Sequence, residues 1–133
     1  MILADTSIWI DFFNGKITIE TNILDKALAN GNIIIGDLIM LEILQGIRHD
    51  KDYNKTKKAL STLEQFELFG GCMVFECANN FRILRKKGLT IRKTADLIIA
   101  SFCIKNKIPL LFSDRDFLPF TEHLSLISAS EKT

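Results

Sequence analysis

Four carboxylates occupy stretches of this chain where an unneutralised charge is costly. Asp5 closes the apolar run Met1-Ile2-Leu3-Ala4, Asp114 follows Leu110-Leu111-Phe112-Ser113, and Glu42 and Asp96 lie inside apolar stretches. A carboxylate withdrawn from water needs a cation or strong donors beside it, and no basic residue adjoins Asp5, Glu42 or Asp96. A bound divalent metal is the simplest common partner. Three or four carboxylates around one point hold Mg²⁺ or Mn²⁺, hard ions that prefer oxygen ligands and keep several waters. Such an ion would acidify an attacking water and stabilise a leaving oxygen, so phosphodiester cleavage at these residues needs no histidine.

Each acid also has a structural explanation when taken alone. Asp96 falls in the first turn of a helix, where it would serve the dipole and the free amides. Asp114 and Asp116 would form a capped turn through Ser113-Asp114-Arg115-Asp116. Glu42 shares a helix face with Leu38, Ile39 and Gly46 by three- and four-residue spacing, and could snorkel outward from it. It is the set that favours a metal. Sulfur and nitrogen ligands are poor rivals: Cys72, Cys77 and Cys103 are odd in number, lack a CxxC spacing and read as small buried hydrophobes. His49 and His123 are isolated and read as surface or cap residues.

The charge balance points to an anionic partner. The formal net charge is +1, from 17 bases and 16 acids; with four acids turned inward, 17 bases face the 12 that remain, a balance of +5. Arg82, Arg85, Lys86, Lys87, Arg92 and Lys93 fall within twelve residues that contain no acid. Arg48, Lys51, Lys55, Lys57 and Lys58 form a second, less pure group. A charge run is commonly only a solvated face; next to a metal site it offers a track for phosphates.

The elements that must position these residues follow an α/β alternation. Strand-like runs stand at Ile2 to Ala4, Ile33 to Ile35, Leu110 to Phe112 and Leu124 to Ile127. Helices are expected from Thr6, as cap, to Asn14-Gly15, from Glu20 to Asn30, from Gly36-Asp37 through Leu44, over Lys51 to Phe66, over Val74 to Lys87, and from Thr94 through Cys103, with a short one ending at Phe120. Short apolar strands separated by helices imply a mainly parallel sheet covered on both faces, with ligands beyond the strands' C-terminal ends. Asp5 and Asp114 occupy that edge. At 133 residues and 47% hydrophobic content, residues 1–133 make one domain with a real core. Without a leader pattern or a long uncharged run, the expectation is a soluble cytoplasmic protein with no membrane partner.

Asp5-Thr6-Ser7-Ile8-Trp9-Ile10-Asp11-Phe12-Phe13, Glu42-Ile43-Leu44-Gln45-Gly46, Gly88 to Ala100 and Leu110 to Phe117 resemble, in order and spacing, the motifs of PIN-domain ribonucleases, and within them the VapC-type toxins of prokaryotic toxin–antitoxin pairs. The likeness spans essentially the whole chain. It implies a PIN-like three-layer fold with a central, mainly parallel sheet flanked by helices, and a Mg²⁺- or Mn²⁺-dependent endoribonuclease. The acids matching the family's are Asp5, Glu42, Asp96 and Asp114, with Asp5, Asp96 and Asp114 as metal ligands. Thr6, Ser113 and Asp116 would support them, and Asp116 is a second candidate for the fourth acid. An RNA substrate, a homodimer and a cognate antitoxin complete what the resemblance implies, and the acid-free basic segment offers Arg82, Arg85, Lys86, Arg92 and Lys93 to guide the RNA backbone. One departure stands out. The family often carries a threonine two residues before the last acid, where this chain has Phe112, with Ser113 one place later.

Readings from other classes fit less well. A phosphotransferase of the haloacid-dehalogenase kind needs a second aspartate where Ser7 stands, and a receiver-like domain needs an adjacent acidic pair that Asp5-Thr6 does not supply. A catalytically inactive PIN-like binding module keeps the fold without the metal, and metal-dependent cleavage separates it from the enzyme.

Overall fold

The computed structural model describes residues 1–130. Four strands, β1 (Ile2–Ala4), β2 (Ile33–Gly36), β3 (Glu64–Phe66) and β4 (Leu110–Leu111), form one parallel sheet in the order β3-β2-β1-β4. Among the described residues seven helices flank it: α1 (Thr6–Phe13), α2 (Ile19–Ala29), α3 (Asp37–Gln45), α4 (Asp50–Leu60), α5 (Met73–Lys86), α6 (Thr94–Asn106) and α7 (Leu118–His123). Parallel neighbours require long crossovers, which is why helices fill the intervals between strands. α1 packs on α2 and α3, and α3 on α4, while α5 pairs with α6. This is the three-layer α/β architecture expected from the alternation.

The sheet is buried because its residues are. Leu3, Ala4, Ile33, Ile34, Ile35, Leu110 and Leu111 are all core residues, joined by Trp9, Ile39, Ile99 and Phe117 from the surrounding helices. Such runs carry no alternation because both faces of a parallel sheet are covered. Register sets Leu3 between Ile34 and Leu110, so β1 is an inner strand with β2 and β4 at its sides. From β1 the chain builds outward through β2 to β3, then returns to place β4 on the other side of β1. The order therefore reverses between β1 and β4. In open α/β sheets a crevice opens at that point, beyond the strands' C-terminal ends.

Two elements differ from the sequence expectation. The helix expected over Lys51 to Phe66 stops at Leu60, and Glu64–Phe66 is instead the edge strand β3, pairing Ile34 with Glu64 and Gly36 with Phe66. An edge strand tolerates exposed polar side chains, so Glu64 and Gln65 give no apolar signal. The strand expected at Leu124 to Ile127 does not form. Ser125 has φ 65°, which breaks an extended run, and the segment reaches the sheet only through a parallel bridge between Leu110 and Ser128. Cys72 is a third difference: it is exposed before α5, whereas Cys77 and Cys103 are buried.

Asp37 pins the edge strand to the helix that carries Glu42. Its Oδ1 accepts the backbone amides of Leu38 at 2.7 Å and Leu68 at 3.0 Å. The close approach of this segment leaves no room at Gly36, where a Cβ would fall inside the Leu68 side chain. On the other side, Asn80 Nδ2 of α5 donates to Ser101 Oγ of α6 at 3.0 Å, a buried bond that fixes the helix bearing Asp96.

Candidate metal centre

Asp5 leaves the C-terminal end of β1 and stands immediately before α1, its own amide bonded to the Leu111 carbonyl of β4 at 2.9 Å. Only 6% of it is exposed. The Ser7 hydroxyl donates to Asp5 Oδ2 at 3.0 Å, a contact the sequence reading missed although the hydroxyl lies two residues away. Thr6, expected to cap α1, does not: Asp5 holds the N-cap position, and Thr6 Oγ1 donates instead to Glu42 Oε1 at 2.6 Å. Glu42 is therefore not an outward-snorkelling rim group, since a hydroxyl from another element holds its carboxylate.

Asp96 lies in the first turn of α6, 9% exposed, and accepts no side-chain hydrogen bond among the described residues. Its place in the first turn still suits the helix dipole, as expected, but no amide among the described residues donates to its carboxylate. Asp114 ends the segment after β4, and its Oδ1 accepts the Asp116 amide at 2.9 Å, so the capped turn expected there does form, as the 3-10 turn Arg115–Phe117. Capping leaves the second Asp114 oxygen free. One carboxylate oxygen from each of Asp96, Asp114 and Asp116 falls in a group whose atoms all lie within 4.8 Å of one another.

The sequence-derived residues thus separate into two neighbouring groups. Asp96 and Asp114 come together with Asp116, which had been a supporting residue and a second candidate for the fourth acid. The turn places both aspartates of Asp114-Arg115-Asp116 on the same point, a result that two-residue spacing alone could not give. Asp5 is outside this close trio but near enough to act on Asp96, and Glu42 in turn acts on Asp5. Ser113 does not join: it is exposed, with no side-chain hydrogen bond among the described residues.

The electrostatics report uncompensated negative charge. Burial pushes the Asp96 carboxyl up to about 6, with Asp5, Asp114 and Asp116 adding to the rise and Lys93 opposing it. Burial also raises the Asp5 carboxyl, against the donors Ser7 and the Thr6 amide, with Glu42 adding further. None of these five acids enters an ion pair among the described residues. An all-oxygen donor set with excess negative charge and no ion-paired base among the described residues fits a hard divalent ion, Mg²⁺ or Mn²⁺, and offers nothing to a soft one.

The bases Arg82, Arg85, Lys86, Lys87, Arg92 and Lys93 are all exposed. They run from the end of α5 to Lys93, the residue before α6, three positions ahead of Asp96. Arg85 also lies 5.4 Å from the Phe81 ring centroid, a cation–π placement that leaves its edge available.

Comparison with known proteins finds relatives over nearly the whole chain. The PIN domain family matches residues 2–121. The chain is 26% identical over 132 residues, 98% of each protein, to VapC ribonuclease Mb1587 of Mycobacterium bovis and to ribonuclease VapC11 of Mycobacterium tuberculosis. Among solved structures, VapBC2 from Rickettsia felis, bound to a DNA fragment from their promoter, superposes with a TM-score of 0.76 at 25% identity, covering 96% of this chain and 97% of that one.

Proposed function

As this chain belongs to the PIN domain family, we propose that it is a metal-dependent endoribonuclease, the toxin of a toxin–antitoxin pair. The observation that carries the reading is the meeting of Asp96, Asp114 and Asp116, with buried Asp5 nearby at the C-terminal end of β1. The VapC relatives and the VapBC neighbour support ribonuclease activity and an antitoxin partner.

Asp96, Asp114 and Asp116, with Asp5 beside them, would hold Mg²⁺ or Mn²⁺. When bound, the ion supplies Lewis acidity and positive charge at the scissile phosphate. The chain's own contribution is to fix the acids before substrate arrives: Ser7 orients Asp5, the backbone of Asp116 orients Asp114, and Thr6 holds Glu42. Glu42, outside the close trio, is the carboxylate available to receive a proton from the attacking water. Arg82, Arg85, Lys86, Arg92 and Lys93 bind and guide the RNA backbone toward the acids by charge rather than by sequence. The substrate is a structured RNA, such as a tRNA.

The protein also acts as a homodimer. Support comes from apolar side chains left in water: Phe75, 78% exposed, its chain neighbour Val74, Phe69, and Ile10, Phe13, Ile17 and Ile19. No helix among the described residues is long and apolar enough to cross a membrane.

RNA cleavage by the purified protein tests the reading. Activity should require added Mg²⁺ or Mn²⁺, stop with EDTA, and disappear in Asp96→Asn, which removes a charge and keeps the shape. Cleavage that persists in excess chelator, or that Asp96→Asn retains, would overturn it; a well-folded parent that binds RNA without cutting it would be the binding module instead.

A further inference from the structure

We propose that Thr6 is a positioning residue whose hydroxyl keeps the Glu42 carboxylate turned toward Asp5 instead of toward water. The nuclease reading is needed only for the kinetic arm of this inference. Glu42 is half-buried on α3 and reaches no cation and no other hydrogen-bond donor among the described residues. Its charge acts unfavourably on Asp5. A long side chain with solvent on one side and a like charge on the other relaxes outward unless something holds it. The Thr6 hydroxyl, 2.6 Å from Oε1, is the group that does so, and a donor to an ionised acceptor is among the stronger neutral-to-charged contacts available.

The placement of this donor is not incidental. Thr6 follows Asp5 directly in the chain, and Asp5 is anchored to β4 through its amide, so one end of the clamp is tied covalently to the acid that repels the other end. The Cβ branch of threonine stiffens χ1 and limits where the hydroxyl can point. The bond also bridges α1 and α3, which pack against each other. Ser7, the next residue, gives its hydroxyl to Asp5. Two successive hydroxyls in the first turn of α1 therefore assign one donor to each of two mutually repelling carboxylates that arrive from different elements.

The test compares Thr6→Val, which keeps the shape and removes the donor, with Thr6→Ser, which keeps the donor, and with Thr6→Ala as a version without added methyl bulk. Crystal structures of the parent and Thr6→Val provide the arm independent of activity: Glu42 should remain beside Asp5 in the parent and swing to solvent in the variant. In RNA cleavage, Thr6→Val and Thr6→Ala should lose roughly ten- to a hundredfold in kcat, the range expected for a hydrogen bond to a charged group, with KM nearly unchanged. Thr6→Ser should recover most of that loss, and Thr6→Val added to Glu42→Gln should cost nothing further, because the clamp then has no charge to hold. A Glu42 side chain that stays in place in Thr6→Val, a serine variant as impaired as the valine one, or full multiplication of the two losses would each overturn the inference. If the parent fails to cut RNA, the nuclease reading falls, and the position of Glu42 in the two structures still decides the role of Thr6.

Discussion

Asp96 is buried with three other acids near enough to act on it. Its carboxyl, 3.8 in the ordinary case, is raised to about 6 by burial and by Asp5, Asp114 and Asp116. Between those two values the folded state binds more proton than the unfolded one, so this residue's contribution is full below about pH 3.8 and is lost as pH rises through about 6. Asp96→Asn removes that loss. In EDTA the variant should melt higher than the parent, with an advantage that grows from pH 4 to pH 7 and reaches on the order of 2 kcal/mol. Added Mn²⁺ should shrink or reverse the advantage, because the ion stabilises only the parent's full set of acids. An advantage independent of pH, read from thermal melts in both conditions, would mean that neither burial nor the neighbouring acids raise the Asp96 carboxyl. At this scale the sequence picked out Asp5 and Asp96 as buried, since an apolar context is a local property, whereas Glu42 and Asp114, expected to be buried as well, are only half-buried. It could not rank Asp114 against Asp116, whose positions are set by a turn, nor reveal that Thr6 serves Glu42, a partner 36 residues away.

Elements were readable where their burial was uniform. β1, β2 and β4 announce themselves as apolar runs, and the helices by spacing and by stops such as Gly15 and Gly88, both with positive φ. β3 gave no such signal because its stability comes from backbone pairing to β2 and from Asp37, and neither is written in Glu64-Gln65-Phe66. Leu124 to Ile127 misled for the converse reason: it is apolar but not extended, with Ser125 at positive φ, Ile127 exposed and the Leu126 amide bonded to the Phe120 carbonyl, and it touches β4 through the Ile127 carbonyl, which accepts the Leu110 amide. Asp37→Ala tests this account of the edge. It deprives two amides of their acceptor and should cost about 1–2 kcal/mol in urea unfolding, while RNA cleavage per folded molecule stays near the parent's. No loss of stability would show that the strand needs no such pin.

For the whole molecule, a nearly neutral net charge conceals separation: acids gather at the β1–β4 crevice and bases on the segment leading to it. Replacing both Arg85 and Lys86 with alanine should weaken RNA binding and flatten the dependence of log K on log salt by roughly one to two units. An unchanged slope would return the segment to a solvated helix face. Light scattering at micromolar concentration should find a dimer, and a monomer would leave the exposed Phe75 face without its proposed occupant. Convergence of the acids on one ion underlies all of these expectations, and Mn²⁺ binding to the purified protein, followed by electron paramagnetic resonance, tests it without knowledge of the RNA. The parent should take up Mn²⁺, Asp96→Asn and Asp114→Asn should each bind it at least tenfold more weakly while remaining folded, and Asp37→Ala should bind it as the parent does. A parent that leaves Mn²⁺ free in solution, or aspartate variants that bind it as tightly as the parent, would contradict the account.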